Sequence, residues 1–199
     1  MFTNPQALAP DVWLLQRFVN TQPLMAEIER VTSLAPFRHM TIPGGGVTKA
    51  ALSNTGALGW TSTAFEYRYR AIDPDLGKPW PNMPAAFRDI GQSAAAAVGY
   101  TQFEPDACLI NRYVAGAGMG LHQDKNERDF SQPIVSVSIG APCRFVIGGL
   151  QRGDTVRSLV LNDGDVMVWG GVSRLMFHGV RPLAAGSLTR YNLTIRRAG

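Results

Sequence analysis

"DACLINRYVAGAGMGLHQDK", residues 106–125, joins two kinds of sequence. Its first half is a β-like run in which Asn111 and Tyr113 fall on one side, because successive strand side chains point to opposite faces. Its second half is a glycine-rich turn that runs into His122 and Asp124. The runs that follow are all short and β-like: "PIVSVSIG" (133–140), "CRFVIGG" (143–149), "RSLVLN" (157–162), "DVMVWGG" (165–171), "RLMFHGV" (174–180) and "RYNLTIRR" (190–197). Turn residues punctuate them throughout. Evenly spaced short strands of this kind predict a β-sandwich or barrel.

The half before residue 106 differs. "NTQPLMAEIERVTSL" (20–34) has Leu24, Ile28 and Val31 at helical spacing, Asn20 or Thr21 as cap, and Pro36 as stop. "PAAFRDIGQSAAAAVGY" (84–100) is an alanine-rich helix ended by Gly99. Between them, "PGGGVTKAALSNTGALGW" (43–60) is glycine-rich at its start, strand-like in its middle and loop-like at its end. "FEYRYRAI" (65–72) alternates aromatic and charged residues as a strand with one wet face would. The expected class is mainly β (α+β), with two helices packed on one side of the β core.

The 199 residues suit a single core, with 45% hydrophobic and 17% charged residues. With 19 basic against 15 acidic residues the net charge is +4, which is compatible with a polyanionic partner. Cys108 and Cys143 sit in apolar runs outside any C-x-x-C pair, so they are expected as buried free thiols and not as a disulfide framework. The opening residues lack a basic start followed by an apolar run, and no stretch is long enough to span a bilayer. The expectation is a cytoplasmic monomer with no membrane partner.

Histidine occurs only at 39, 122 and 178. On an extended strand His122 and Asp124 offer an imidazole and a carboxylate to one point, and His178 lies in another strand of the same barrel. Two imidazoles and one carboxylate with open positions opposite them suit non-haem Fe(II). Zinc accepts the same donors, so the ligands alone leave both metals open. In "RYNLTIR" (190–196), Arg190, Asn192, Thr194 and Arg196 share a face. Two arginines inside a barrel call for anions, and a dicarboxylate would satisfy one near each end. Asn111 and Tyr113 could hydrogen-bond the same ligand.

Taken in order, "PDACLINRY", "LHQDK", "PIVSVSIG", "GDVMVWGG", "RLMFHGV" and "RYNLTIR" resemble the bacterial AlkB proteins, iron(II)- and 2-oxoglutarate-dependent dioxygenases that repair alkylated nucleic acid. "APFRHM" (35–40), "PGGG", "GALGW" and "KPWPNMP" (78–84) match as well, so the resemblance runs from about Asp11 to the end of the chain. It implies a double-stranded β-helix (jelly roll) with two supporting helices and an N-terminal nucleotide-recognition lid. One dioxygenase domain would span 1–199, with lid and helices over about 1–105 and the catalytic core over about 106–199. By motif, His122, Asp124 and His178 would be the catalytic iron ligands. Arg190, helped by Asn111, Tyr113 and Asn192, would hold the far carboxylate of 2-oxoglutarate, and Arg196 would approach the chelated end. Trp60, Tyr67, Asn126 and Arg152 would contact substrate, with Lys125, Arg128 and Arg174 as further phosphate contacts. Oxygen is the second cosubstrate.

The implied reaction oxidises N-methyl groups on bases such as 1-methyladenine and 3-methylcytosine, releasing formaldehyde, succinate and carbon dioxide. The implied substrate is single-stranded or flipped-out alkylated DNA, with RNA as a second polymer. Competing readings are a related dioxygenase acting on modified tRNA or a small molecule, and a non-catalytic nucleic-acid-binding β-domain. One position departs from the family: the residue two after the metal aspartate, usually an acid facing the base, is Asn126 here. Glu127 beside it could compensate if the turn were shifted.

Overall fold

Tyr191, Leu193 and Ile195 point one way from their strand and Arg190, Asn192, Thr194 and Arg196 the other, and that alternation organises the whole molecule. The computed structural model describes residues 4–199, so the first three residues of the opening segment lie outside it. In chain order the elements are β1 (Gln6–Ala9), β2 (Val12–Leu15), α1 (Gln22–Leu34), β3 (Ala51–Gly56), β4 (Gly59–Ser62), β5 (Tyr67–Arg70), β6 (Ile72–Asp73), β7 (Lys78–Pro79) and α2 (Ala85–Ala96). They continue with β8 (Ala107–Tyr113), β9 (Met119–His122), β10 (Ile134–Gly140), β11 (Cys143–Ile147), β12 (Arg157–Leu161), β13 (Val166–Trp169), β14 (His178–Val180) and β15 (Arg190–Arg196).

A seven-stranded antiparallel sheet has the order β1-β2-β13-β10-β15-β8-β3, and a four-stranded sheet the order β12-β11-β14-β9. These are the two faces of a jelly roll, and every β-like run read after residue 106 is a strand. β15 lies inside the large sheet, between β10 and β8. Its apolar side packs with Cys108, Ile110, Val135 and Val137 against Leu24, Ile28 and Val31 of α1 and Phe87, Ala94 and Ala95 of α2. Its polar side faces the small sheet across a cavity. The helices therefore stiffen one side of the sheet and leave the other free to carry chemistry.

Helix α1 begins as expected. Asn20 Oδ1 accepts from Gln22 N, and Thr21 instead donates to Asp163. The second helix ends when Gly99 takes φ +99° and Tyr100 N donates back to Ala95 O. The large sheet does not begin at residue 106. The β1–β2 hairpin extends it beyond β13, and β3 pairs with β8. The loop-like end of the stretch is confined to Ala57 and Leu58, and Gly59 and Trp60 already open β4, which pairs with β5 as a separate hairpin over the cavity mouth. Gly59 is needed there, since a Cβ on it would come within 2.3 Å of the Trp80 ring. Both cysteines are buried free thiols. No helix among the described residues is long and apolar enough to cross a membrane.

Candidate active site

His178 on β14 sits directly opposite His122 at the end of β9, with ring centroids 4.4 Å apart. The register shifts beside them, and the strands approach so closely at Gly179 that a Cβ there would lie 2.7 Å from Met119 O. Asp124 is not on the strand, as the i, i+2 argument assumed. Strand β9 ends at His122, and Asp124 follows in a loop pinned by Gln123 Nε2 to Leu175 O at 2.6 Å and by Arg174 Nη1 to Asp124 O at 2.7 Å. The three side chains still converge. His122 Nε2 lies 3.8 Å from Asp124 Oδ1 and His178 Nε2 lies 3.6 Å from Asp124 Oδ2, and one ligand atom from each falls within 4.8 Å of the others.

The electrostatics suit a cation. Nδ1 of His122 lies 2.9 Å from Gly120 O, and Nδ1 of His178 lies 3.0 Å from Met176 O. A carbonyl only accepts, so each Nδ1 carries the hydrogen and each Nε2 turns a lone pair inward. Burial, aided by the neighbouring His178, pulls the His122 imidazole down to about 4, so it is neutral at pH 7. Burial pushes the Asp124 carboxyl up, but the Arg196 guanidinium outweighs it and holds it well below the usual carboxylate range. Two imidazole nitrogens and an ionised carboxylate form a donor set that fits a divalent metal.

The cavity has a volume of about 480 Å³, and its lining includes all three residues together with Trp169 and Phe145 beside His178. At the opposite end lies Arg190, 1% exposed. Its Nη2 donates to Ser138 Oγ at 2.9 Å, its Nε has no partner, and no carboxylate among the described residues pairs with it. Asn111 Oδ1 is likewise an orphan, although Asn111 Nδ2 donates to Asn192 Oδ1 at 3.2 Å. The Tyr113 side chain lies next to Arg190 in register and is buried. A buried guanidinium without a counter-ion, its Nε still free to donate, fits one carboxylate of a small dicarboxylate.

Arg196, at the other end of β15, is already engaged. Its Nη2 donates to Asp124 Oδ2 at 2.6 Å, its Nη1 donates to Tyr69 Oη at 2.9 Å, and its Nε lies 3.4 Å from Glu127 Oε1. Tyr69 Oη donates to Glu127 Oε1 at 2.7 Å, and burial raises its hydroxyl well above the ordinary value, so it keeps its proton.

The hairpin over the mouth carries Trp60 and Tyr67, stacked at 5.3 Å and 20°. Asn126 lies beneath them, accepting from Trp60 Nε1 at 3.3 Å and donating to Tyr67 O at 3.4 Å. All three residues line the cavity.

Several expected roles change. Arg174 is not a surface phosphate contact: it is 3% exposed and pairs with Glu127 Oε2 at 3.0 Å. Glu127 is correspondingly buried under the loop, and its two oxygens face Arg174, Arg196 and Tyr69, so it is not free to replace the acid missing at Asn126. Arg152 is exposed and does not line the cavity. Its Nη1 donates to Leu121 O and its guanidinium lies over Phe177. Lys125 and Arg128 are exposed on the loop after Asp124. The reading missed Tyr69 and Ser138, as well as Ile42, Val47 and Lys49 in and beside the glycine-rich segment, which line the cavity. Tyr69 could have been found, because it lies two residues from Tyr67 on an alternating strand.

Residues 11–196 match the family model of the 2OG-Fe(II) oxygenase superfamily. The chain is 51% identical to the alpha-ketoglutarate-dependent dioxygenase AlkB of Escherichia coli K12, over 98% of this chain and 93% of the relative. It is 40% identical to an AlkB homolog of Caulobacter vibrioides, over all of this chain and 92% of the relative. Among solved structures, that of OsALKBH1 superposes with a TM-score of 0.83 at 28% identity, covering 97% of this chain and 99% of the other. With family match, full-length identity and jelly-roll fold in agreement, the chain belongs to the iron(II)- and 2-oxoglutarate-dependent oxygenases, as a dioxygenase of the bacterial AlkB type.

Proposed function

We propose that this dioxygenase removes N-methyl groups from bases of the 1-methyladenine and 3-methylcytosine type in single-stranded or locally opened DNA, with RNA as a second substrate. One observation carries this reading. A single cavity holds a His–Asp–His donor set, an unpaired buried arginine and a stacked aromatic pair at its mouth. Its curated relatives support it, since they include nucleic acid dioxygenases, such as the human one that is 32% identical over 62% of this chain.

In this reading His122, Asp124 and His178 hold iron, which with 2-oxoglutarate and oxygen supplies the oxidising power. Arg190 takes the far carboxylate of 2-oxoglutarate, with Asn111, Tyr113, Asn192 and Ser138 completing its hydrogen bonds. Trp169 and Phe145 keep the His178 side dry. Trp60 and Tyr67 present a π-face to a base, and a cationic methylated base gains from it by a cation–π contribution. The His122 ring, with 35% of its side chain exposed, forms the facing wall. A methyl group on the Watson–Crick edge is shielded inside a duplex, so a base already unpaired enters at least cost.

The test is mass spectrometry of oligonucleotides carrying single methylated bases after incubation with protein, iron and 2-oxoglutarate. Loss of the methyl mass with equimolar formaldehyde is the expected result. An unchanged panel, with 2-oxoglutarate consumed on another substrate, would overturn the assignment.

A further inference from the structure

We propose that Tyr69 is the positioning residue through which the base-stacking hairpin holds the metal-ligating carboxylate. Through it, a base at the cavity mouth and a metal ion in the triad tighten each other's binding. The proposal rests on the nucleic-acid reading above.

The link has two branches, one through Arg196 and one through Glu127 and Arg174. Strand β5 carries Tyr67, which stacks on Trp60, and two residues on it carries Tyr69. Tyr69 Oη accepts from Arg196 Nη1 at 2.9 Å, and the other arm of that guanidinium donates to Asp124 Oδ2 at 2.6 Å. The Tyr69 proton goes to Glu127 Oε1 at 2.7 Å, and Glu127 is in turn paired with Arg174, whose Nη1 donates to the backbone carbonyl of Asp124. Asp124 is thus held by Arg196 at its side chain and by Arg174 at its carbonyl, and Tyr69 ties the hairpin to Arg196 directly and to Arg174 through Glu127.

A second tie runs from the hairpin to the same loop through Asn126, but its bonds are 3.3 and 3.4 Å long. The Tyr69 bonds are shorter and involve ionised partners, which makes them roughly twice as strong as neutral ones. A base that orders the hairpin therefore orders Arg196 and Asp124 with it. Linkage requires that a metal held by Asp124 favour the same hairpin position and tighten base binding by the same factor.

The experiment is isothermal titration of Mn(II) into the full chain with 2-oxoglutarate in the absence of oxygen. It is done with and without a saturating single-stranded oligonucleotide bearing one 1-methyladenine. In wild type the oligonucleotide should lower the Mn(II) Kd by roughly 5-fold or more, the low end of usual coupling between sites. In Tyr69→Phe, which keeps the ring and loses the hydroxyl, that ratio should fall toward unity while the protein still binds both ligands. Asn126→Ala, which removes only the longer second tie, should lower the ratio less than Tyr69→Phe does. Melting curves confirm that each variant is folded. A ratio retained in Tyr69→Phe, or absent from wild type that binds the oligonucleotide, overturns the proposal. Wild type that does not bind the oligonucleotide at all overturns the nucleic-acid reading itself, and the coupling with it.

Discussion

Arg190→Met separates a cosubstrate anchor from a structural arginine, because the two roles predict opposite effects in the ligand-free protein. Arg190 is buried, its Nε has no partner, and it donates only to Ser138 Oγ and, at 3.5 Å, to Ala141 O. Removing it leaves those two acceptors short of a donor, at about 1–3 kcal/mol for a buried group. It also removes an unpaired buried charge whose desolvation is worth several kcal/mol. The two nearly cancel. The ligand-free variant should therefore melt within about 4 °C of wild type, given that 1 kcal/mol shifts a domain of this size by roughly 2–4 °C.

Ligand binding should behave quite differently. Losing one partner of a buried carboxylate–guanidinium pair costs about 3–5 kcal/mol. At 1.4 kcal/mol per tenfold, that weakens 2-oxoglutarate by roughly 100-fold or more. The assay is a thermal melt with Mn(II), with and without 2-oxoglutarate at one hundred times its wild-type Kd. Wild type gains about 2.7 kcal/mol at that concentration. This is a rise of roughly 5–11 °C on the same scale. The variant should show almost none. An equal ligand-induced rise in both proteins, or a variant that loses its fold without ligand, would refute the reasoning.

His122→Ala and His178→Ala should each abolish succinate production and Mn(II) binding while circular dichroism stays native. Asp124→Ala should do the same and also lower Tm, because Arg196 loses a partner worth roughly 1–3 kcal/mol; turnover retained in any of the three removes the metal assignment. Trp60→Ala should weaken methylated oligonucleotide binding by about 1–3 kcal/mol. It should leave slow, substrate-free 2-oxoglutarate consumption unchanged, and equal loss of both would make Trp60 a packing residue. Asn126→Asp restores a charge beside the base without changing side-chain shape. It should raise the kcat/KM ratio of 1-methyladenine to 1-methylguanine, and a ratio that stays fixed or falls contradicts that role.

What could be read from the sequence follows the range of the forces involved. The alternation in "RYNLTIR" is local, and it placed four polar residues on the cavity face and three apolar ones against the helices. Rare histidines at strand ends were enough to find the donor set. The β1–β2 hairpin was not legible, since its strands are four residues long and β2 pairs with β13, about 150 residues later. Nor could "SRLMFHG" reveal that Arg174 is buried, because its partner Glu127 lies 47 positions upstream and only the fold brings them together. An arginine without a visible partner reads as a surface charge by default. Arg152 differs from Arg174 in staying exposed, where its contacts are a backbone carbonyl and an aromatic ring.

The charge balance explains why two arginines at opposite ends of one strand have different tasks. Asp124 and Glu127 contribute two negative charges, and Arg174 and Arg196 contribute two positive ones, joined in a row by the pairs Asp124–Arg196, Arg196–Glu127 and Glu127–Arg174. That cluster is neutral by itself, so the metal meets a carboxylate whose charge is already shared with Arg196. Arg190 remains as an unbalanced positive charge at the far end. A divalent cation alone would add two more positive charges to a poorly solvated cavity, and a dicarboxylate alone would leave one negative end without a metal beside it. Together they bring no net charge, and the far carboxylate meets Arg190. The buried charges are therefore complementary to the metal and its dicarboxylate as a pair more than to either separately. The Trp60–Tyr67 mouth is left for whatever substrate the pair will oxidise.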